Sequence, residues 1–335
     1  MNSTWYNVDN LEECNEVYKS FAFKIAMYSV LTIAVLLTVG GNLFVIMSIV
    51  YFKQLKSPKH VLIFSLAMVD LLLGICVLPF SMVRTVETYW YLGSFFCRLH
   101  TCLDILFCTS SVFHLCFIAI DRYYAVCDPL RYASIINTRI AWWLAVLGWV
   151  IPVIYSFGFI YTKSNDPGLD DLVAIFSLNG NCVLLFNKLW ALLDSLVFLL
   201  PCFAMIVIYI KIFMVAKKQA RNIEIMENRI QWLKECRTKL RRNREQKAAK
   251  TLGILMGVFL VCWVPYYTNS LIDAFSDISI SSAVFEIVLW LGYMNSTFNP
   301  MIYAFFYPWF RKALKIMVTC RCMNPNSSSE QLNIE

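Results

Sequence analysis

Long, nearly unbroken apolar runs alternate with polar segments along this chain. Windows of about 20 mostly apolar residues suffice to cross a hydrocarbon core about 30 Å thick. They fall near 23–51, 60–83, 97–125, 140–161, 188–215, 248–274 and 283–306. The pattern predicts an all-α membrane protein, a bundle of seven spanning helices. The first run follows a polar start, outlasts the roughly 7 to 15 residues of a signal-peptide core and has no small-residue cleavage pattern behind it, so it reads as a retained span. After Pro308, Phe310, Leu314 and Met317 recur at helical spacing beside Arg311, Lys312 and Lys315. That spacing predicts a short amphipathic helix lying along the membrane surface. The resulting division is an N-terminal segment, 1–22, a helical domain, 23–319, and a tail, 320–335.

The polar segments orient the bundle. Lys53, Lys56 and Lys59 follow the first span, Arg131 and Arg139 the third, and a long basic stretch the fifth. Positive charge marks the cytoplasmic side, which places the N terminus outside and the C terminus inside a plasma membrane. Composition agrees: 59% hydrophobic and 15% charged over 335 residues, where charged residues make up about a quarter of a soluble domain. The stretch 217–246 holds Lys217, Lys218, Arg221, Arg229, Lys234 and further bases. A basic run of this kind can mark nucleic-acid binding; here it reads as a positive-inside loop beside anionic lipid, presenting helix ends to a cytoplasmic partner. On the outer side, Asn2-Ser3-Thr4 is a glycosylation acceptor.

Most of the thirteen cysteines lie within spans, where cysteine behaves as a small apolar residue. Cys14, Cys97 and Cys182 face the oxidising side, and an odd count allows at most one pair among them. Cys97 opens the third span and Cys182 precedes the fifth, so their bridge pins the second outer loop to the bundle and leaves Cys14 over. Cys320 and Cys322, after the amphipathic helix, are palmitoylation candidates.

An ionisable group inside a span costs about 3 kcal/mol and is a functional hypothesis by default. Asp70, Asp104, Asp121, Arg122 and Asp194 are such groups. Asp121 and Arg122 sit side by side at the cytoplasmic end of the third span, where the two charges satisfy each other and leave the guanidinium spare donors.

Asp121-Arg122-Tyr123 resembles the signature of rhodopsin-like G-protein-coupled receptors, with companions in order: Asn42, Asp70, Trp149, Pro201, Cys262-Trp263-Val264-Pro265 and Asn299-Pro300-Met301-Ile302-Tyr303. The resemblance runs from about 23 to 319. It implies that Asp121 and Glu245 hold Arg122 at rest, and that activation frees Arg122 to meet Tyr209 and a heterotrimeric G protein. It also implies a buried sodium site of Asp70, Ser111, Asn295, Ser296 and Asn299, an oxygen-rich set suited to a hard cation. Asp70 by itself fits a neutral, hydrogen-bonded acid equally well. Pro201, Pro265 and Pro300 break backbone hydrogen bonds and serve as bending points. The run from Asn295 to Phe310, with Phe52-Lys53-Gln54-Leu55 and the segment from Ser81 to Glu87, is similar to the trace amine-associated receptors. Those receptors are expected to carry a second outer-loop cysteine to pair with the N-terminal one; this loop has only Cys182, so Cys14 is free or paired outside the bundle. The subfamily implies amine sensing, stimulatory G-protein coupling and an olfactory role.

The residues themselves suggest what the pocket takes. Asp104 lies 18 residues outward from Arg122 on the same helix, about five turns. A ligand ammonium would supply the charge and donor that this carboxylate lacks. Trp263, Tyr266, Tyr267, Trp290 and Tyr293 converge from the sixth and seventh spans, and such rings attract a cation at their faces; plain packing accounts for some of them. Asp194 precedes Pro201 by seven residues, near the depth of Asp104. The resemblance implies more here: aminergic relatives that read catechol hydroxyls use small hydroxyl residues eight, seven and four positions before that proline, and in this chain those positions hold Leu193, Asp194 and Val197. Two acids favour a short diamine such as cadaverine or putrescine. The structural alternative turns Asp194 toward Lys188 or the outer loop. A retinal pigment is excluded by the absence of a lysine in the seventh span, an enzyme by the absence of any nucleophile triad, metal-ligand spacing or phosphate loop, and a transporter by the absence of repeated broken helices. No cofactor is expected beyond the sodium ion. A monoamine-selective receptor, or a peptide receptor, is the alternative.

Overall fold

The computed structural model describes residues 21–87, 90–163, 182, 188–226, 232–276 and 280–319, with side chains omitted at 159–163, 188–190, 219–250 and 252. Helices run α1 (Phe21–Tyr51), α2 (Pro58–Cys76), α3 (Leu78–Val86), α4 (Gly93–Cys127), α5 (Pro129–Ile135), α6 (Thr138–Lys163), α7 (Lys188–Met226), α8 (Trp232–Phe275), α9 (Ser282–Phe306) and α10 (Pro308–Val318), with one 3-10 turn at Lys53–Leu55. The second span is α2 and α3 together. It breaks at Val77, because Pro79 has no N–H to donate and its ring clashes with the carbonyl four residues back. Phe80 and Ser81 both donate to the Val77 carbonyl and restart the helix.

Among the described residues six helical stretches, with α2 and α3 counted as one, are long and apolar enough to cross a membrane. The seventh span, α9, falls short of that apolarity because it carries Asn295, Ser296, Thr297 and Asn299, all buried inside the bundle. The molecule is inverted relative to a soluble domain. Trp143, Phe203 and Phe213 face outward, each more than 60% exposed, while Arg122, Asp70 and Asp121 are buried. That inversion follows from a hydrocarbon solvent in which apolar side chains need no burial and polar ones must find partners inside.

Helix α4 is the central post and packs against α2, α6, α7 and α8. At about 52 Å for its 35 residues it is longer than a hydrocarbon core about 30 Å thick. Two close approaches fix its surroundings. A Cβ on Gly148 of α6 would lie 2.6 Å from the His114 ring of α4, and one on Gly41 of α1 would lie 2.6 Å from Cγ of Pro300 in α9. His114 is buried but fully paired. Its Nδ1 faces the Ser110 carbonyl at 2.8 Å, so it donates there; Nε2 then accepts from Ser65 Oγ at 2.7 Å, and Trp149 Nε1 donates to the same oxygen at 3.0 Å.

Helix α10 buries Trp309, Phe310, Ala313 and Ile316, with Leu314 and Met317 at the flank of that face. Its Arg311 turns back and donates to the carbonyl of Phe305 at 2.6 Å, serving an orphan acceptor at the end of α9. Helices α7 and α8 extend well beyond their apolar windows, to Met226 and from Trp232, since the charged residues there are good helix formers. The Asn2 acceptor, Cys14, Cys320 and Cys322 lie outside the described residues.

Candidate functional site

Three polar clusters lie along the bundle axis. At one end, Cys97 of α4 is bridged to Cys182, with 5.7 Å between the Cα atoms, within the ordinary range for a disulfide. The bridge pins the chain before α7 to the top of α4.

Beneath it lies the first cluster, an aromatic pocket holding two carboxylates. Tyr293 of α9 donates to Asp104 Oδ2 at 2.7 Å, and the Cys108 thiol points at Oδ1 from 3.3 Å. Tyr293 itself accepts from Ser81 of α3 at 3.4 Å, and that hydroxyl also meets His100 Nε2 at 3.1 Å. Across the pocket, Tyr155 of α6 donates to Asp194 Oδ1 at 2.9 Å. Asp104 and Asp194 are both half-buried and within electrostatic reach of each other. Among the described residues neither has an ion-pair partner. The Lys188 side chain, an alternative partner for Asp194, is outside the described set.

The five aromatics named from sequence pack together as one cluster beside these carboxylates. Trp263 packs against Tyr266, Tyr267 and Tyr293 at centroid distances of 5.9, 6.2 and 6.4 Å, and Trp290 against Tyr293 at 5.5 Å. Three of these pairs are edge-to-face, one of the favoured arrangements for aromatic rings, and the Trp263-Tyr267 pair is tilted at 46°. Sequence reasoning missed Phe198, which stacks on Tyr267 at 4.0 Å, and Tyr155. It also missed the rim, where Trp290 donates to Thr85, Thr85 donates to Glu286 at 2.6 Å, and Arg84 pairs with the other Glu286 oxygen at 3.5 Å. Tyr155 stands three residues after Pro152 in the fourth span, and only that depth could have signalled it. Leu193 points outward at 37% exposed, while Val197 is half-buried.

Halfway down, Asp70 of α2 is fully buried and accepts from Ser296 Oγ and Asn299 Nδ2, each at 2.7 Å. Asn42 of α1 ties this cluster to its neighbours by donating to the backbone carbonyls of Thr38 and Ser296. Ser111 Oγ, Asn295 Oδ1 and Asn299 Oδ1 are buried and have no hydrogen-bond partner among the described residues. The second cluster thus brings all five members of the expected set into the bundle interior, with oxygen atoms to spare.

At the far end, Arg122 donates through Nε to Asp121 at 2.8 Å and pairs with it through Nη2 as well. Tyr132 of α5, not foreseen from sequence, donates to the other Asp121 oxygen at 2.7 Å. The Glu245 side chain lies outside the described residues. Tyr209 packs beside Val126 and Ile212, and Tyr303 is buried against Tyr307 and Phe310 with its hydroxyl unpartnered. Pro300 sits against Gly41 as noted.

A chain with seven spans, a disulfide at one end and a buried Asp-Arg pair at the other has the plan of a transmembrane signalling receptor, and known proteins agree. Residues 41–303 match the family described as 7 transmembrane receptor (rhodopsin family). Trace amine-associated receptor 4 of Mus musculus is 47% identical over 92% of this chain and 89% of its own length, and trace amine-associated receptor 13c of Danio rerio is 47% identical over 91% and 89%. Trace amine-associated receptor 7e of Mus musculus is 45% identical over 92% and 86%. The chain belongs to the rhodopsin family of seven-transmembrane, G-protein-coupled receptors and, within it, to the trace amine-associated receptors. It is a multi-pass membrane receptor and not an enzyme.

Proposed function

We propose that this receptor senses small protonated amines, favours short diamines such as cadaverine or putrescine, and signals through a stimulatory G protein that raises cAMP. The observation that carries the reading is the pair of carboxylates, Asp104 and Asp194, each held by one tyrosine and facing a common aromatic pocket without an ion-pair partner among the described residues. A half-buried carboxylate that accepts from one phenol, with only a weak thiol donor added at Asp104, keeps unused acceptor capacity. An ammonium supplies both charge and donors, and a diamine does so at two places while its methylenes rest on the rings. The relatives' names, which refer to trace amines, support the amine class. The subfamily resemblance supports an olfactory role and the stimulatory coupling.

In the proposed orientation the disulfide and the amine pocket face outside, and Arg122 faces the cytoplasm. Lys53, Lys56, Arg131 and Arg139 beside the Arg122 end support it by the positive-inside rule. The Asp121-Arg122 pair represents the resting latch, which Glu245 would share. Agonist binding releases Arg122 toward Tyr209 and the G protein, with Tyr303 and the Pro300 region of α9 shifting together.

Asp70, Ser111, Asn295, Ser296 and Asn299 form the proposed sodium site. The unpartnered oxygens of Ser111, Asn295 and Asn299 among the described residues, in a bundle interior where Asn299 and Ser296 hold the buried Asp70 carboxylate, are donors of the kind a hard cation takes. The ion would supply a positive charge to Asp70, and these residues would hold it between α2, α4 and α9.

The deciding test is a cAMP concentration-response screen of mono-, di- and polyamines on cells expressing the wild type, Asp104→Ala and Asp194→Ala at matched surface levels. Asp104→Ala should abolish responses to all amines. Asp194→Ala should weaken diamines at least tenfold and spare monoamines. Equal loss of both classes makes Asp194 a general anchor of a monoamine-selective receptor. Absence of any cAMP rise to an amine that demonstrably binds removes the stimulatory coupling.

A further inference from the structure

Away from the amine pocket, toward the Arg122 end, the lipid-facing seam between α7 and α8 is not closed. Tyr209, Ile210 and Phe213 on α7 face Gly253 and Gly257 on α8 across a cavity of about 350 Å3. We propose that this groove seats one acyl chain of an anionic phospholipid from the cytoplasmic leaflet, with the lipid phosphate at Lys217.

The two glycines make the hollow. They stand one turn apart on one face of α8. A Cβ on Gly257 would meet nothing within 4 Å, and one on Gly253 would meet only the Tyr209 ring at 3.7 Å. The volume lies within the roughly 300–1,000 Å3 typical of small-ligand sites. The lining is apolar apart from the tyrosine. Ile210 and Phe213 remain 53% and 69% exposed, so the opening faces hydrocarbon rather than water or protein. A void here would forfeit dispersion contacts along its whole wall, and the bilayer supplies a filler of matching shape, a linear methylene chain.

The headgroup end is set by the same helix. Ile206, Ile210, Phe213 and Lys217 follow each other at intervals of four, three and four residues, one continuous stripe of α7. Lys217 lies seven residues beyond Ile210, about 10 Å along the axis, so a chain lying in the groove carries its phosphate to the ammonium. Lys217 and its neighbour Lys218 are exposed and have no ion-pair partner among the described residues. Anionic lipids are concentrated in the leaflet that the proposed orientation puts at this end.

The site bears on signalling because Tyr209 forms its floor. A chain packed on that ring opposes its departure toward Arg122 and so favours the resting arrangement. This last step rests on the role proposed above for Tyr209; the lipid site itself does not, so the two fail separately.

The experiment uses the full-length receptor in nanodiscs containing a trace of phosphatidylserine with a photoreactive diazirine in its acyl chain, followed by peptide mapping after illumination. Labelling should concentrate on peptides containing 206–213 and 253–260 and should fall progressively as unlabelled phosphatidylserine replaces phosphatidylcholine at constant probe. Gly257→Leu, whose Cβ would meet nothing within 4 Å, puts a branched side chain at the groove and should cut that labelling at least fivefold while leaving amine binding unchanged. Lys217→Gln should reduce the phosphatidylserine probe severalfold and leave a phosphatidylcholine probe unaffected. Labelling spread evenly over all lipid-facing helices, or unaltered by Gly257→Leu, overturns the site. Equal labelling by the two headgroups overturns the role of Lys217. Receptor-to-receptor cross-links through the same peptides would show a second copy in the groove and overturn the lipid assignment. If the labelling holds, basal GTPγS uptake by added stimulatory G protein should be lower with the receptor in phosphatidylserine nanodiscs than in phosphatidylcholine ones; no difference removes the coupling to Tyr209 alone.

Discussion

Each pocket carboxylate depends on a phenol supplied by another span. Tyr293 reaches Asp104 from α9, and Tyr155 reaches Asp194 from α6. A hydrogen bond to a charged group contributes about 1.5–3 kcal/mol, and a rotated carboxylate presents the wrong lone pairs to an ammonium. Tyr293→Phe should therefore lower amine potency roughly 10- to 100-fold, for monoamines and diamines alike, with ring packing against Trp263 and Trp290 preserved. Tyr155→Phe should lower potency only for diamines, about tenfold, because Asp194 engages only the second ammonium. Radioligand displacement on membranes measures both, and an equal loss of the two classes in Tyr155→Phe would place Asp194 outside the two-anchor arrangement. Neither tyrosine pairing follows from spacing along one helix. Tyr293 was legible because it sits in an aromatic cluster facing Asp104, whereas Tyr155 lies among apolar, lipid-exposed residues of α6 such as Ile154 and Phe157 and carries no local signal.

Among the elements, the spans themselves were legible because the bilayer demands a contiguous apolar stretch and tolerates no other spanning form in a chain of this pattern. Their internal breaks and true ends were less so. The second window reads as one helix, yet Pro79 splits it at Val77; the fifth and sixth windows end with the hydrocarbon, while the helices continue on local propensity. The rim formed by Arg84, Thr85, Glu286 and Trp290 was hidden because it joins spans two and seven, and hydropathy says nothing of which spans are neighbours. Close packing is similarly silent in sequence, but it can be tested. At Gly41 an added Cβ falls 2.6 Å from the rigid Pro300 ring, whereas at Gly40, next in the same helix, it meets nothing within 4 Å. Gly41→Ala should destabilise the detergent-solubilised receptor by about 1–3 kcal/mol through overpacking, seen as a lower Tm, and Gly40→Ala should be neutral or slightly stabilising by helix propensity. Matching Tm values for the two variants would mean that α1 and α9 do not meet as closely as described.

Across the whole molecule, the Asp104 cluster and the Asp121-Arg122 pair lie toward opposite ends of α4, and the Asp70 cluster lies between them, touching α1 through Asn42 and α9 through Ser296 and Asn299. Any movement of α9 relative to α2 must break the two 2.7 Å contacts to Asp70 or carry it along. A sodium ion held by Asp70 and the spare oxygens of Ser111, Asn295 and Asn299 would bind the arrangement described here better than one in which α9 has shifted. Two ligands that favour different arrangements of one protein oppose each other, and by linkage the opposition is reciprocal. Raising sodium at constant ionic strength, with choline as the balancing cation to hold screening fixed, should therefore weaken agonist binding in wild-type membranes. A coupling of about 1–3 kcal/mol corresponds to a shift of roughly 5- to 150-fold. Asp70→Asn keeps a hydrogen-bonding group of the same size but removes the charge, so it should abolish the sodium dependence. Ser111→Ala, which deletes one unpartnered oxygen and no hydrogen bond seen among the described residues, should weaken the dependence several-fold while leaving agonist affinity in sodium-free buffer unchanged. Sodium sensitivity that survives in Asp70→Asn would place the ion elsewhere. Sodium insensitivity of the wild type, with agonist binding intact, would leave Asp70 as a structural acid satisfied by Ser296 and Asn299 alone.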